Sequence, residues 1–214
     1  MKFIVAAASA LCVCMTAEAF VGPQMMQMQH DSIQRRDLIQ TVGAGVLGAG
    51  VLASASGPAL AAAAPGVGTK APDFDLPSNT GSNVSLKQLT SSGKTTVLYF
   101  YPGDFTSGCT IEAQGFQKDI AKYKALNAQI VGVSVDSAEK HLDFTKSYGL
   151  DFTLLSDNGA TVADAYGSKL EVPFLGKFAN RVTFIIDKEG IIKKVFTDVE
   201  GKVRQHSADV LAAL

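Results

Sequence analysis

The 214-residue sequence has no tryptophan, only three cysteines, and almost no net charge: 19 Lys and Arg stand against 20 Asp and Glu. Near-neutral charge removes the electrostatic reason to expect a nucleic-acid partner. Cys12, Cys14 and Cys109 are too few for a disulfide scaffold, and their spacing fits no zinc site. With 47% hydrophobic and 18% charged residues the chain is neither a disordered polymer nor a coiled coil nor a collagen-like repeat. The scarce residues are also unevenly placed. All five methionines and two of the cysteines lie within the first 28 positions, and residues 1–64 carry only Lys2, Arg35 and Arg36 against Glu18, Asp31 and Asp37.

That first stretch reads as a targeting leader. Residues 1–19 combine Lys2, a short apolar run and the small-residue end A-E-A, which is the pattern of a secretory signal peptide and too short for a membrane span. Residues 20–64 hold Arg35-Arg36, a second apolar run rich in Gly and Ala, and a second small-residue end near Ala61 to Ala64. This is a twin-arginine signal following a transit segment. The junction A-E-A-F-V-G-P, opening at Phe20, resembles the cut of algae with secondary plastids, and a twin-arginine signal behind it resembles a thylakoid-lumen address. The alternative is that residues 38–64 are kept as a membrane anchor. Gly43, Gly45 and Gly48 match G-x-G-x-x-G, but no strand precedes them and no acidic residue stands about 20 positions on, so a dinucleotide site is rejected. The expected division is a leader over 1–64 and one domain over 65–214.

Without the leader, Cys109 is the only thiol, and Met and Trp are absent. Met and Cys are the side chains most easily oxidised, so this composition suits work among oxidants. The body alternates strand and helix patterns. Buried strands are expected at 95–101 and 130–135, a short strand at 152–155, and a hairpin of strands at 181–187 and 191–197 with Gly190 in its turn. Helices are expected at 109–126 with Ile111, Phe116, Ile120, Tyr123 and Leu126 inward, at 137–148 capped by Ser137 with Leu142 and Phe144 inward, at 160–166, and at 204–214. The sum is an α/β fold with a mixed central β-sheet flanked by helices, in the order of a thioredoxin fold with an N-terminal extension over 71–89.

Chemistry converges on the turn after the first buried strand. There Pro102 and Gly103 turn the chain, and a helix begins with Cys109 in its first turn. The partial positive charge and free N–H groups of a helix start favour thiolate over thiol, and the thiolate is the nucleophile. Thr106, one turn before Cys109, can bring its hydroxyl to the sulfur or to an oxygen bound beside it. Pro102 offers no N–H, and its ring can shield the pocket. The blander reading of Cys109 is a small core residue.

These residues carry a resemblance. Pro102-x-x-x-Thr106-x-x-Cys109 after V-L-Y-F-Y resembles the active-site signature of the peroxiredoxins, and F-Y-P-x-D-F-T-x-G-C-T-x-E-A resembles their Q-type, bacterioferritin-comigratory branch. The likeness runs from A-P-D-F at Ala71 to the C-terminus. It implies a thiol-dependent peroxidase acting on hydrogen peroxide and organic hydroperoxides, with Cys109 as the peroxidatic cysteine and Pro102 and Thr106 shaping the peroxide site. Arg181, in N-R-V-T-F-I-I-D, stands where the family's distant arginine is expected; otherwise it is a strand-edge surface charge. Arg204 reads as solvated. Arg181, the Thr106 hydroxyl and helix-start N–H groups would donate to the charge that builds on the peroxide oxygens. The chain departs from the branch at Gln114, where a resolving cysteine often stands. It therefore resembles a one-Cys variant that needs thioredoxin, glutaredoxin or glutathione as reductant, and is expected to be a monomer or weak homodimer.

Two other classes remain open. A disulfide-exchange enzyme needs C-x-x-C, but Thr106 and Glu112 occupy the positions three away from Cys109. A redox sensor would consume about one peroxide per thiol unless reduced. No cofactor or metal is expected. His141 and His206 read as lone surface histidines, and the acidic residues form no evident catalytic pair.

Overall fold

The computed structural model describes residues 64–214. The expected signal peptide, twin-arginine signal and rejected glycine motif lie outside the described residues. The elements run β1 (Asp75–Pro77), β2 (Asn83–Ser85), α1 (Leu86–Ser91), β3 (Thr95–Phe100), α2 (Ser107–Lys118), α3 (Ile120–Ala125), β4 (Ala128–Ser134), α4 (Ala138–Tyr148) and β5 (Thr153–Ser156). They continue as α5 (Thr161–Ala165), β6 (Lys169–Val172), β7 (Gly176–Ala179), β8 (Val182–Ile186), β9 (Ile192–Phe196), a 3-10 turn (Glu200–Lys202) and α6 (His206–Leu211).

Five strands form the central sheet in the order β5-β4-β3-β8-β9. β3 pairs parallel with β4 and antiparallel with β8, so the sheet is mixed as expected. β3 is apolar from Val97 to Phe100 because both faces are covered there. Leu98 and Phe100 enter one core with Val131, Val133, Tyr166 and Phe184, while Val97, Tyr99 and the following Tyr101 enter the other with Cys109, Phe116, Phe144 and Val210. This alternation is the period-2 geometry of a strand. α2, α3, α4 and α6 contribute Phe116, Tyr123, Phe144 and Val210 to the second core, and α1 and α5 contribute Leu86, Leu89, Val162 and Ala163 to the first. The architecture is the thioredoxin fold.

Three expectations change. The helix expected over 109–126 is two helices meeting at Asp119 (φ −97°, ψ 5°). The Asp119 carboxylate accepts from Lys122 Nζ at 2.7 Å and from Ser207 Oγ at 2.8 Å, which ties the break to α6, and Leu126 beyond it is exposed. Second, Phe116, Tyr123 and Phe144 face inward as expected, but two neighbouring positions do not. Glu112 is buried where Ile111 was expected, and His141 is fully buried where Leu142 was expected. Third, two small hairpins, β1–β2 and β6–β7, are too short and exposed to carry an apolar alternation. The final helix is also shorter than 204–214, and His206 at its start is buried.

Candidate active site

β3 ends at Phe100, and Tyr101 N–H still donates to Val133 O at 3.1 Å. Pro102 and Gly103 then leave the sheet. Gly103 approaches Asp136 so closely that a Cβ there would lie 3.1 Å from Asp136 Oδ2. Thr106 is the extended N-cap residue of α2 (φ −76°, ψ 149°), and Cys109 is that helix's third residue. Cys109 is 1% exposed, and it is the free cysteine among the described residues.

Arg181 reaches this turn through sheet register. β8 pairs with β3 so that Val182 faces Phe100, which puts Arg181 at the end of the sheet where the chain turns toward α2. The side chain is buried rather than a surface charge. Its Nη1 donates to Cys109 Sγ at 3.3 Å and to Glu112 Oε2 at 2.6 Å, and its Nε donates to Glu200 Oε2 at 2.9 Å. Two carboxylates from different elements thus hold the guanidinium over the sulfur. Burial works against its charge, but Glu200 and Glu112 outweigh that and raise its pKa, so it stays protonated. Gly108 leaves room for it, since a Cβ there would sit 3.1 Å from Nη2.

Pro102 and Arg181 line one side of a cleft of about 500 Å³, with Leu170, Asn180, Val182 and Glu200 around it. Thr106 is placed differently from the expectation. Its Oγ1 donates to Gly103 O at 3.1 Å, so its hydrogen serves the loop and only its lone pairs remain for a ligand. The structure therefore brings together Cys109 and Arg181, sets Pro102 and Arg181 in the wall of one cleft, and engages the Thr106 hydroxyl with Gly103 O.

Sequence reasoning missed Glu112, Glu200 and His206. Glu112 lies three residues after Cys109, on the same helix face, and that spacing was its only signal. Burial pushes its carboxyl up to about 7, although Arg181 pulls it down. Its Oε1 is buried without a hydrogen-bond partner and faces His206 Nε2 at 3.7 Å. His206 Nε2 also lies 2.8 Å from Thr183 Oγ1, and burial lowers its pKa to about 4.

Residues 67–195 match the family model described as the AhpC/TSA family. The chain is 42% identical over 151 residues to Peroxiredoxin Bcp of Bacillus subtilis, covering 69% of this chain and 94% of that protein. It is 39% identical over 131 residues to the chloroplastic Peroxiredoxin Q of Triticum aestivum, covering 61% of this chain and 58% of the wheat protein. Among solved structures, Peroxidoxin BcpB from Mycobacterium tuberculosis superposes with a TM-score of 0.64 at 34% identity, covering 70% of this chain and 96% of that one.

Proposed function

Because the chain belongs to the AhpC/TSA family, on its peroxiredoxin Q/Bcp branch, and is a thiol-dependent peroxidase, we propose that Cys109 is its peroxidatic nucleophile. The observation that carries this is the guanidinium of Arg181, held 3.3 Å from the buried sulfur at a helix start. The Cys109 thiolate attacks one oxygen of hydrogen peroxide or an organic hydroperoxide. An S–O bond forms, the O–O bond breaks, and the peroxide's proton ends on the leaving oxygen as water or alcohol. Negative charge spreads from sulfur over both oxygens, and Arg181 with the first N–H groups of α2 donates to it without having to reorganise. Thr106 accepts from the peroxide O–H, because its own hydrogen is engaged by Gly103 O. Pro102 closes one wall of the cleft. Glu112 and Glu200 orient Arg181.

The immediate product is a Cys109 sulfenate, which takes one proton from solvent to become the sulfenic acid, the reversible first oxidation step. Gln114 supplies no sulfur, and residues 65–214 hold no second cysteine. The enzyme is accordingly a one-Cys peroxiredoxin reduced by an external thiol: thioredoxin, glutaredoxin or glutathione. A C-x-x-C exchange mechanism has no partner residue here. The leader over 1–64, with its twin-arginine signal, supports a plastid location and delivery of the 65–214 domain to the thylakoid lumen as a monomer or weak homodimer. The chloroplastic wheat relative is consistent with the plastid part of that reading.

The test is stopped-flow oxidation by peroxide of the parent protein, Cys109→Ser and Arg181→Ala. Cys109→Ser should consume no peroxide, and Arg181→Ala should be slower by on the order of 10²–10³. Turnover surviving in Cys109→Ser removes the proposal.

A further inference from the structure

A second buried polar cluster lies behind the active-site turn, and the peroxidase chemistry does not use it. Asp104 stands between Pro102 and Thr106 and is 3% exposed. Its Oδ1 accepts from Tyr101 OH at 2.7 Å, and its Oδ2 lies 2.7 Å from His141 Nδ1, with both side chains of that pair fully buried. His141 Nε2 lies 3.0 Å from Leu155 O. A backbone carbonyl only accepts, so Nε2 carries a proton. One further proton then lies between Nδ1 and Oδ2, whether the pair is imidazolium and carboxylate or neutral imidazole and carboxylic acid. Every polar atom of the cluster has a partner, which is the condition under which a buried network rigidifies its surroundings.

The cluster grips one short stretch of chain from one helix. Asp136, just before α4, takes the Asp104 N–H on Oδ2 at 2.6 Å while Lys140 holds its Oδ1 at 2.6 Å. His141 on α4 takes the Asp104 side chain. Phe144, one turn further along α4, packs edge-on against Phe105 with ring centroids 5.1 Å apart. Phe105 sits at φ 63°, a conformation that a bulky residue keeps only when its surroundings over-determine it. The next residue is Thr106, the N-cap of α2, and Cys109 follows within one turn.

We propose that Asp104 and His141 are positioning residues for the peroxidatic site, their shared proton clamping the loop that sets Thr106 and Cys109 against Arg181. This rests on the reading of Cys109 as nucleophile. The groups facing the pair are Tyr101, the Leu155 carbonyl and Asp136, which Lys140 holds in turn; among the described residues no other charged side chain bonds to it. The clamp depends on hydrogen bonds rather than on charge. An amide at position 104 keeps them all: its NH₂ donates to a neutral His141 Nδ1, its oxygen accepts from Tyr101, and Nε2–H still donates to Leu155 O.

The experiment compares Asp104→Ala, Asp104→Asn and His141→Asn in the full chain, at a temperature where circular dichroism shows each folded. Three readouts are taken: the rate of Cys109 oxidation by hydrogen peroxide, the rate of Cys109 alkylation by iodoacetamide mapped by mass spectrometry, and the ¹⁵N shift of His141 Nδ1. Asp104→Ala should oxidise on the order of 10²-fold more slowly, as expected for reacting groups displaced by about 1 Å, while alkylation of the loosened sulfur speeds up. Asp104→Asn should restore oxidation to within an order of magnitude of the parent, with the Nδ1 shift at that of an unprotonated, hydrogen-bonded nitrogen. If Asp104→Ala does not fold, His141→Asn against Asp104→Asn carries the comparison. Parent rates in every folded variant would reduce the cluster to a stability element and overturn the proposal, as would an Asp104→Asn protein as slow as Asp104→Ala. Altered alkylation in the Asp104 variants beside peroxide turnover in Cys109→Ser would instead leave the clamp standing and remove the Cys109 reading.

Discussion

Glu112 and His206 are two buried titratable residues with opposite inclinations. Burial raises the Glu112 carboxyl to about 7 from 4.5, and burial lowers His206 to about 4 from 6.5. The folded protein therefore binds the Glu112 proton more tightly than the unfolded chain does. That contribution is full below about 4.5 and is lost as pH rises through about 7. His206 behaves in the opposite sense: its contribution is full above about 6.5 and is lost as pH falls through about 4. Each amounts to about 3 kcal/mol at most, and over the shared window the two slopes cancel. Urea unfolding of the parent between pH 4.5 and 6.5 should owe little slope to this pair. Glu112→Gln should expose the histidine alone, so that stability falls on acidification from pH 6.5 toward 4. His206→Asn should do the reverse and lose stability as pH rises toward 7. A flat profile in Glu112→Gln would show that His206 is not held neutral. Arg181→Lys belongs to the same scale. A lysine cannot donate to Glu112, Glu200 and the sulfur together, so it should oxidise Cys109 far more slowly than the parent, close to Arg181→Ala, in the stopped-flow assay.

At the scale of the element, α2 carries two glycines with different duties. Gly115 lies inside the helix, and a Cβ there would meet Ser207 Cβ of α6 at 3.8 Å, an ordinary contact. Gly115→Ala should raise stability by about 0.5–1 kcal/mol, read from the urea midpoint, without changing the rate of Cys109 oxidation. Gly108→Ala gains the same helix propensity but crowds Arg181 Nη2 at 3.1 Å, so oxidation by peroxide should slow although the helix is better formed. The contrast also shows what was legible in the sequence. β3 and β4 were plain because both of their faces are buried and most of their residues are apolar or β-branched. The turn and the start of α2 were plain because Pro102, Gly103 and Gly108 serve no purpose around an ordinary core cysteine, and Arg181 stood out because residues 65–214 hold only two arginines. On α2 and α4 the expected inward residues Phe116 and Phe144 are buried, but Ile111 and Leu142 give way to Glu112 and His141. Periodicity places apolar residues inward, whereas Glu112 and His141 are buried by partners, Arg181 and Asp104, that lie far away in sequence. The break at Asp119 was hidden for the same reason, since Ser207 is 88 residues further along. β6–β7 carries Phe174 and Leu175 exposed at its tip and buries only Ala179, too little for a pattern to report.

For the whole molecule the decisive number is one thiol per 65–214 domain. A single sulfur can become a sulfenic acid, but it cannot close a disulfide within that domain, so turnover stops after one oxidation unless another thiol arrives. That thiol meets a sulfur that is 1% exposed, behind Arg181 and inside the first turn of α2. Reduction by a protein donor therefore requires this turn to open, and Gly115→Ala should slow it while leaving the small-molecule peroxide step alone. The arithmetic depends on processing, because Cys12 and Cys14 lie in the proposed leader. Protein recovered from plastids should begin near Ala64 or Pro65 on N-terminal sequencing; a start near Phe20 would mean that the apolar stretch is kept as an anchor. The remaining test oxidises that mature protein with one equivalent of peroxide and no donor, then applies a sulfenic-acid probe and a non-reducing gel. Probe-labelled monomer is the expected result. A reducible dimer would show that two chains resolve each other through Cys109, which needs the same opening of α2 in both. An intramolecular disulfide found by mass spectrometry would mean that a leader cysteine stays attached, and with it the one-thiol argument and the cleavage site would both fall.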